Sequence, residues 1–251
     1  MLFQVLLVAN RGVLVARMRG FVVATRPPHP PFNPPAMIVP THSPEEVVRE
    51  AFRDLPALWN KMKDPIGRLK HQVRTKKGKL KLKEPQLFEY RSAAGNNWIV
   101  AIQPTKKMLA VVPFVWYRGS DDRYRAARIV EDGVSYHISY HVLEQYNNRF
   151  NRTGDGLLRL KEFIRENLNF AAEHCPANSE VRVGIPQGYI TGCWLVPHQV
   201  AQLTTFVDHG RLHADQLEQM DRLDEQRARS LRPVRIPGSD WNPWTPLRPS
   251  I

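Results

Sequence analysis

Apolar residues follow two different periods along this chain. Val47, Val48, Ala51, Phe52 and Leu55, then Leu58, Trp59 and Met62, recur every three to four residues. That is the spacing of one helix face. Ser43-Pro44-Glu45-Glu46 opens the helix, with serine at the N-cap, proline at the first helical position and glutamate at the third. Pro56 predicts an interruption before Leu58 resumes the face. From Phe88 to Val130 the pattern changes to an antiparallel meander. It predicts a strand over Trp98–Ile102 and a longer one over Met108–Tyr117, where Pro113 signals an edge or a bulge. Gly119-Ser120-Asp121-Asp122 is a turn, Tyr124–Val130 the return strand, and Asp132-Gly133 a further turn before Val134–Ile138.

Val134 to Phe150 then reads as the end of a strand running into a helix. Val142, Leu143, Tyr146 and Phe150 form the apolar side of that helix, while His141, Gln145, Asn148 and Arg149 form a polar stripe on the other. Leu157, Leu160, Phe163, Ile164 and Leu168, with Phe170 beside them, predict a second amphipathic helix that Cys175-Pro176-Ala177-Asn178 ends. Strands follow over Val181–Ile185, Gly188–Val196 and Val200–Val207, then a charge-rich helix over Ala214–Leu231. The link Gly184–Gly192 lacks nucleotide-binding signatures and reads as a strand turn, with Gly188 or Gly192 permitting a tight bend. The expected fold class is α+β: one or more antiparallel sheets with packed helices.

Proline divides the chain. Arg26-Pro27-Pro28-His29-Pro30-Pro31 lies in a segment with few backbone donors, so residues 1–42 are expected to form a disordered tail that adds nothing to the fold. No acidic residue precedes Glu45, and an organelle transit peptide or an over-extended start ahead of Met37 are further readings of this segment. Residues 43–85 are assigned to a helix plus a basic arm, 86–232 to the α+β core, and 233–251 to a second tail containing proline and tryptophan.

Composition changes the picture mainly through charge. The chain has 251 residues, 42% hydrophobic and 24% charged, as in globular proteins, but its formal net charge is +12. That excess favours an anionic partner, nucleic acid first and an anionic membrane surface second. Lys61 to Lys83 is the densest basic stretch, with Arg74, Lys76, Lys77, Lys79, Lys81 and Lys83 at its centre. Lysine alternating with leucine has strand period and puts Lys79, Lys81 and Lys83 on one face. Such a face tracks phosphates, or protects a strand edge from aggregation. Tryptophans and tyrosines are expected in the core and in cross-strand pairs rather than on base-stacking surfaces. The two cysteines, Cys175 and Cys193, form no Cys-x-x-Cys motif and are expected to be reduced and buried, as in a cytoplasmic protein. No apolar run approaches the roughly 18 residues of a membrane span.

The polar stripe carries the candidate chemistry. A histidine moves protons near neutral pH, and an arginine holds a phosphate through its planar fork. Metal-independent phosphodiester cleavage needs those two jobs. His137-x3-His141 and His209-x3-His213 have a zinc-compatible spacing, with Cys175 and Cys193 as further ligands, but His137 falls on the predicted strand rather than the helix. No metal site and no cofactor is therefore assigned.

His-Val-Leu-Glu-Gln-Tyr-Asn-Asn-Arg-Phe at 141–150, followed by a sheet whose last strand carries Thr204-Thr205-Phe206-Val207, resembles the barnase, EndoU, colicin and RelE-like group of ribonuclease toxins. The resemblance covers Val134 to Val207, and related proteins carry arginine where this chain has Gln145. It implies RNA cleavage by 2′-hydroxyl attack, leaving a cyclic phosphate. His141 would be the general base or acid, Arg149 the phosphate clamp, and Thr204 or Thr205 a donor from the last strand. Gln145 and Asn148, with the basic arm, would hold the RNA, and a protein antitoxin would be a partner. The rival expectation is a non-catalytic module that binds RNA or DNA, of the kind found in phages or mobile elements.

Overall fold

The computed structural model describes residues 36–72, 84–104, 109–131, 133–150, 154–175, 178–195, 199–211 and 214–229. Helix α1 (Pro44–Gln72) comes first, then strands β1 (Gln86–Arg91), β2 (Asn97–Pro104), β3 (Leu109–Arg118), β4 (Tyr124–Arg128) and β5 (Ser135–Ile138). Helices α2 (Tyr140–Arg149) and α3 (Gly156–Glu166) follow, then β6 (Ala171–Cys175), β7 (Glu180–Ile185), β8 (Gly188–Leu195), β9 (Val200–Asp208) and helix α4 (Ala214–Arg229). The strands form one sheet in the order β1-β2-β3-β4-β5-β9-β8-β7-β6. All neighbours are antiparallel except β5 and β9, which pair in parallel with Ser135 beside Val200 and Ile138 beside Leu203. Two antiparallel meanders are thus joined at the centre. The expected α+β class is the observed one.

Strand β2 shows why the sheet is covered on both sides. Trp98, Val100 and Ile102 face α1, whereas Ile99 and Ala101 face α2 and α3, and all five are fully buried. A strand buried on both faces reads as a continuous apolar run. Pro113 sits inside β3, an interior strand, and not at an edge or bulge. Its carbonyl accepts from Ile129 N–H just past the end of the β3–β4 ladder, so its missing donor costs no ladder bond.

Helix α1 starts as expected: Ser43 N–H donates to Glu46 Oε2 at 2.9 Å, and Glu46 N–H to Ser43 Oγ at 3.3 Å. It does not stop at Pro56, and Pro65 also lies within it. Pro56 is on the solvent side, where an unpaired carbonyl is hydrated, while Leu55, Leu58, Trp59, Met62 and Ile66 hold the helix on the sheet. Packing overrides the local penalty.

Residues 36–42 are part of the fold, contrary to their assignment to a tail. Ile38 is buried, its N–H donates to Asn96 Oδ1 at 2.7 Å, and Asn96 Nδ2 donates to the Ala36 carbonyl at 3.2 Å. Helix α1, assigned with the basic arm to residues 43–85, packs into the same core as the sheet. Residues 1–35 of the first expected tail and the whole of the second, 233–251, lie outside the described residues. The second helix ends at Glu166, and 171–175 form strand β6, which its mixed Ala-Ala-Glu-His-Cys composition did not announce.

Two glycines set the second meander. A Cβ on Gly184 would stand 2.7 Å from Leu223 Cβ, so Gly184 admits α4 onto the α1 side of the sheet. A Cβ on Gly192 would stand 2.0 Å from the Gln202 carbonyl oxygen, at the place where the β8–β9 register slips. Thr191 pairs with Thr205 and Gly192 with Leu203, leaving Thr204 as the extra residue of a bulge.

Candidate functional site

Helix α2 is fixed by its inner face. Ser139 Oγ accepts from Val142 N–H as N-cap, and Val142, Leu143 and Tyr146 are buried. The Tyr146 ring lies 4.8 Å from Phe150, 5.0 Å from Phe163 and 5.3 Å from Phe206, and its hydroxyl donates to Glu166 Oε2 at 2.6 Å. The opposite face, His141, Glu144, Gln145, Asn148 and Arg149, is exposed. The stripe read from the sequence is therefore one continuous strip.

The C-terminal half of the strip meets the end of β9. Strand β5 stops at Ile138, so beyond Leu203 the β9 edge has no strand beside it. The bulge at Thr204 turns both Leu203 and Phe206 into the core beneath α2. Phe206 N–H then donates to Gln145 Oε1 at 2.8 Å, the side-chain amide taking the place of a strand carbonyl. Along this edge runs an open cleft of about 420 Å³ lined by Gln145, Asn148, Arg149, Thr205, Phe206, Val207 and Asp208. Arg149 Nε is ion-paired with Asp208 Oδ2.

The N-terminal half of the strip meets the β3–β4 hairpin. The His141 and Tyr140 rings stack with centroids 3.9 Å apart and planes 32° from parallel. The guanidinium carbons of Arg123 and Arg125 lie 4.5 Å and 5.1 Å from the Tyr140 centroid. Arg125 grips Asp121 through two bonds, 2.7 and 2.9 Å, and holds that carboxyl down to about 2. Arg123 reaches Glu144 at 3.3 Å. Arg118 donates to Asp122 at 2.8 and 2.9 Å and to the Tyr124 hydroxyl at 2.7 Å.

Of the residues singled out in the sequence, the structure brings Gln145, Asn148, Arg149 and Thr205 together and leaves two outside that cleft. Thr204 turns its hydroxyl to the Thr191 carbonyl at 3.4 Å. His141 stands about 12 Å from Arg149 along the helix axis, at about 1.5 Å of rise per residue. The two residues expected to serve one phosphate thus stand about two helical turns apart, and only Arg149 lines the cleft. Arg74, Lys76, Lys77, Lys79, Lys81 and Lys83 lie outside the described residues. Tyr140, Arg123, Arg125 and Asp208 were not singled out. Their signals were present: Arg123 and Arg125 flank Tyr124 at strand period, Tyr140 precedes His141, and Asp208 ends the threonine strand.

The histidine pair does not make a metal site. His137 is buried on β5 and His141 exposed on α2. Cys175 on β6 and Cys193 on β8 are free, and both are exposed rather than buried. Among the described residues no group of three His, Cys, Asp or Glu could hold a metal ion, and no helix is long and apolar enough to cross a membrane. His137 Nε2 lies 2.8 Å from the Tyr117 hydroxyl, while Nδ1 is buried without a partner among the described residues. Burial, with a smaller push from Arg125, draws the His137 pKa down to about 4, and burial raises that of Tyr117 to about 12. A small void beside α3, lined by Phe114, Phe163, Asn167 and Phe170 among others, measures about 10 Å³ and holds one water at most.

Set against protein-family models, curated proteins and solved structures, the chain matches none of them. The functional reading rests on the site alone.

Proposed function

We propose that this protein binds RNA along the exposed face of α2. The observation that carries the proposal is the polar cleft at the β9 edge, where Gln145, Asn148, Arg149 and Thr205 meet in a chain of net charge +12. Amide, hydroxyl and guanidinium groups are the donors that phosphate and ribose oxygens accept. The arginine on the strip and one that reaches it are each already held by a carboxylate, Arg149 by Asp208 and Arg123 of the β3–β4 hairpin by Glu144. Both pairs are at least partly exposed and cheap to exchange for a phosphate.

Titration of a labelled oligoribonucleotide at several salt concentrations tests this reading. Affinity falls steeply with salt, and Arg149→Gln weakens binding by about tenfold, the worth of one charge-assisted hydrogen bond. Glu144→Gln frees Arg123 and tightens binding by about two- to fivefold. Absence of binding, or indifference to both substitutions, overturns the proposal.

Cleavage is the second reading, favoured by one observation: Arg149, Thr205 and Asp208 line the same cleft. There Arg149 would neutralise the phosphate and Thr205 would donate to it, with His141 reached only through a bent substrate. This is the toxin form of the proposal, with a protein antitoxin as partner and the cytoplasm as its place of action. Labelled RNA incubated with wild type, His141→Ala and Arg149→Ala decides it. A cyclic phosphate product lost in both variants supports cleavage, and equal activity in all three removes it.

A further inference from the structure

The N-terminal end of the strip is built differently from the cleft, and its chemistry suits a different part of the same ligand. Tyr140 and His141 already stack on one another, so little freedom is lost when a third ring is added. The Tyr140 ring is backed by two guanidinium groups, and those are held in turn: Arg125 by Asp121 through two bonds, Arg123 by Glu144. His141 itself is exposed, and among the described residues its imidazole has no hydrogen-bond partner. Folding therefore makes little use of this ring, yet the surroundings hold it in a fixed stack.

We propose that the Tyr140–His141 ring pair, backed by Arg123 and Arg125, is a stacking platform for an unpaired nucleobase. Single-stranded RNA is then the ligand class of the α2 strip. This rests on the RNA-binding reading and extends it: phosphate and ribose lie in the cleft beside Arg149, and one base caps His141. Bases stack on aromatic and guanidinium planes whatever their sequence, because every base presents a π-face. A duplex keeps its bases stacked on each other and offers only edges and backbone, so it cannot use the platform.

The test uses the full chain and a short fluorescein-labelled oligouridylate, alone and annealed to its complement. A single base–aromatic stack is worth about 1–3 kcal/mol, so His141→Ala weakens single-strand binding by about five- to hundredfold. His141→Phe keeps the ring without the proton chemistry and restores affinity to within about twofold of wild type. Binding of the duplex is unchanged by either substitution. Matching thermal melts of the variants establish that their folds are intact. If His141→Ala binds the single strand as wild type does while Arg149→Gln still weakens it, the platform is overturned and the RNA-binding reading stands. If wild type binds no RNA, both fall.

Discussion

The two sides of the central sheet treat polar side chains in opposite ways. Beneath α1 they point inward. Asp54 is 1% exposed and accepts from Asn96 Nδ2 at 3.1 Å and from Trp98 Nε1 at 2.9 Å. Glu50 accepts from Ala36 N–H and Arg53. These groups clamp helix, hairpin and the 36–42 segment together, and their partners are chosen by the fold. On α2 Asn147 is buried, but the strip His141, Glu144, Gln145, Asn148 and Arg149 points outward, and its partners are surface arginines and a strand edge. A buried polar group costs free energy unless it is paired, so it specifies structure. An exposed pair gains little from its own partner and is free to change it. Position relative to the sheet therefore separates the structural polar residues from the candidate functional ones.

Breaking the inner clamp has the largest expected effect. Asp54→Ala leaves the Trp98 indole N–H and an Asn96 amide hydrogen without their acceptor, and lowers folding stability by about 3 kcal/mol or more. Urea unfolding measures this, and RNA affinity of the protein that remains folded should not move. A loss below about 1 kcal/mol would show that the clamp is ornamental.

His137 is an exception that sharpens the contrast, because it is buried with one ring nitrogen unpaired among the described residues. Its folded pKa is about 4 and its unfolded value 6.5, so below 6.5 the unfolded chain takes up a proton that the folded chain refuses. Stability is fully present above pH 6.5, declines as pH falls towards 4, and levels off below that. The loss is on the order of 3 kcal/mol, from about 1.4 kcal/mol per pKa unit. Unfolding free energies of wild type and His137→Gln across this window should converge as pH falls. Parallel curves would assign the acid sensitivity to other groups.

The smallest effect is expected on the outer side. Gln145→Ala leaves the Phe206 N–H to water in an open cleft and costs about 1 kcal/mol. Hydrogen exchange at the Phe206 amide reports it directly. Unchanged exchange there would mean that the glutamine does not hold the strand edge in solution.

Much of the fold was legible because it rests on local chemistry. The Ser43–Glu46 cap, the continuous apolar run of β2, the turn at Gly119–Asp122 and the apolar face of α2 each depend on residues close in sequence. What escaped depends on distant partners. Pro56 stays helical because the sheet holds both flanking turns. Ala171–Cys175 becomes a strand because β7 offers it an edge, although its own residues favour none. The stripe on α2 was readable from helical spacing alone. That a cleft opens beside Arg149 and not beside His141 was not, since the bulge at Thr204 and the early end of β5 decide where it lies. Asp208 and Arg123 reach the strip only through tertiary contact.

The parallel pairing of β5 with β9 has a consequence for synthesis. Strands β1 to β5 leave the ribosome in order and can zip to their predecessors as they appear. The far edge of β5 must wait until the second meander is complete and Val200–Leu203 emerge. Until then there is no strand for Gln145 to hold and no cleft beside Arg149. On the proposed reading, a nascent chain lacks the cleft until residues 200–208 have emerged, and acquires it only after both meanders are made.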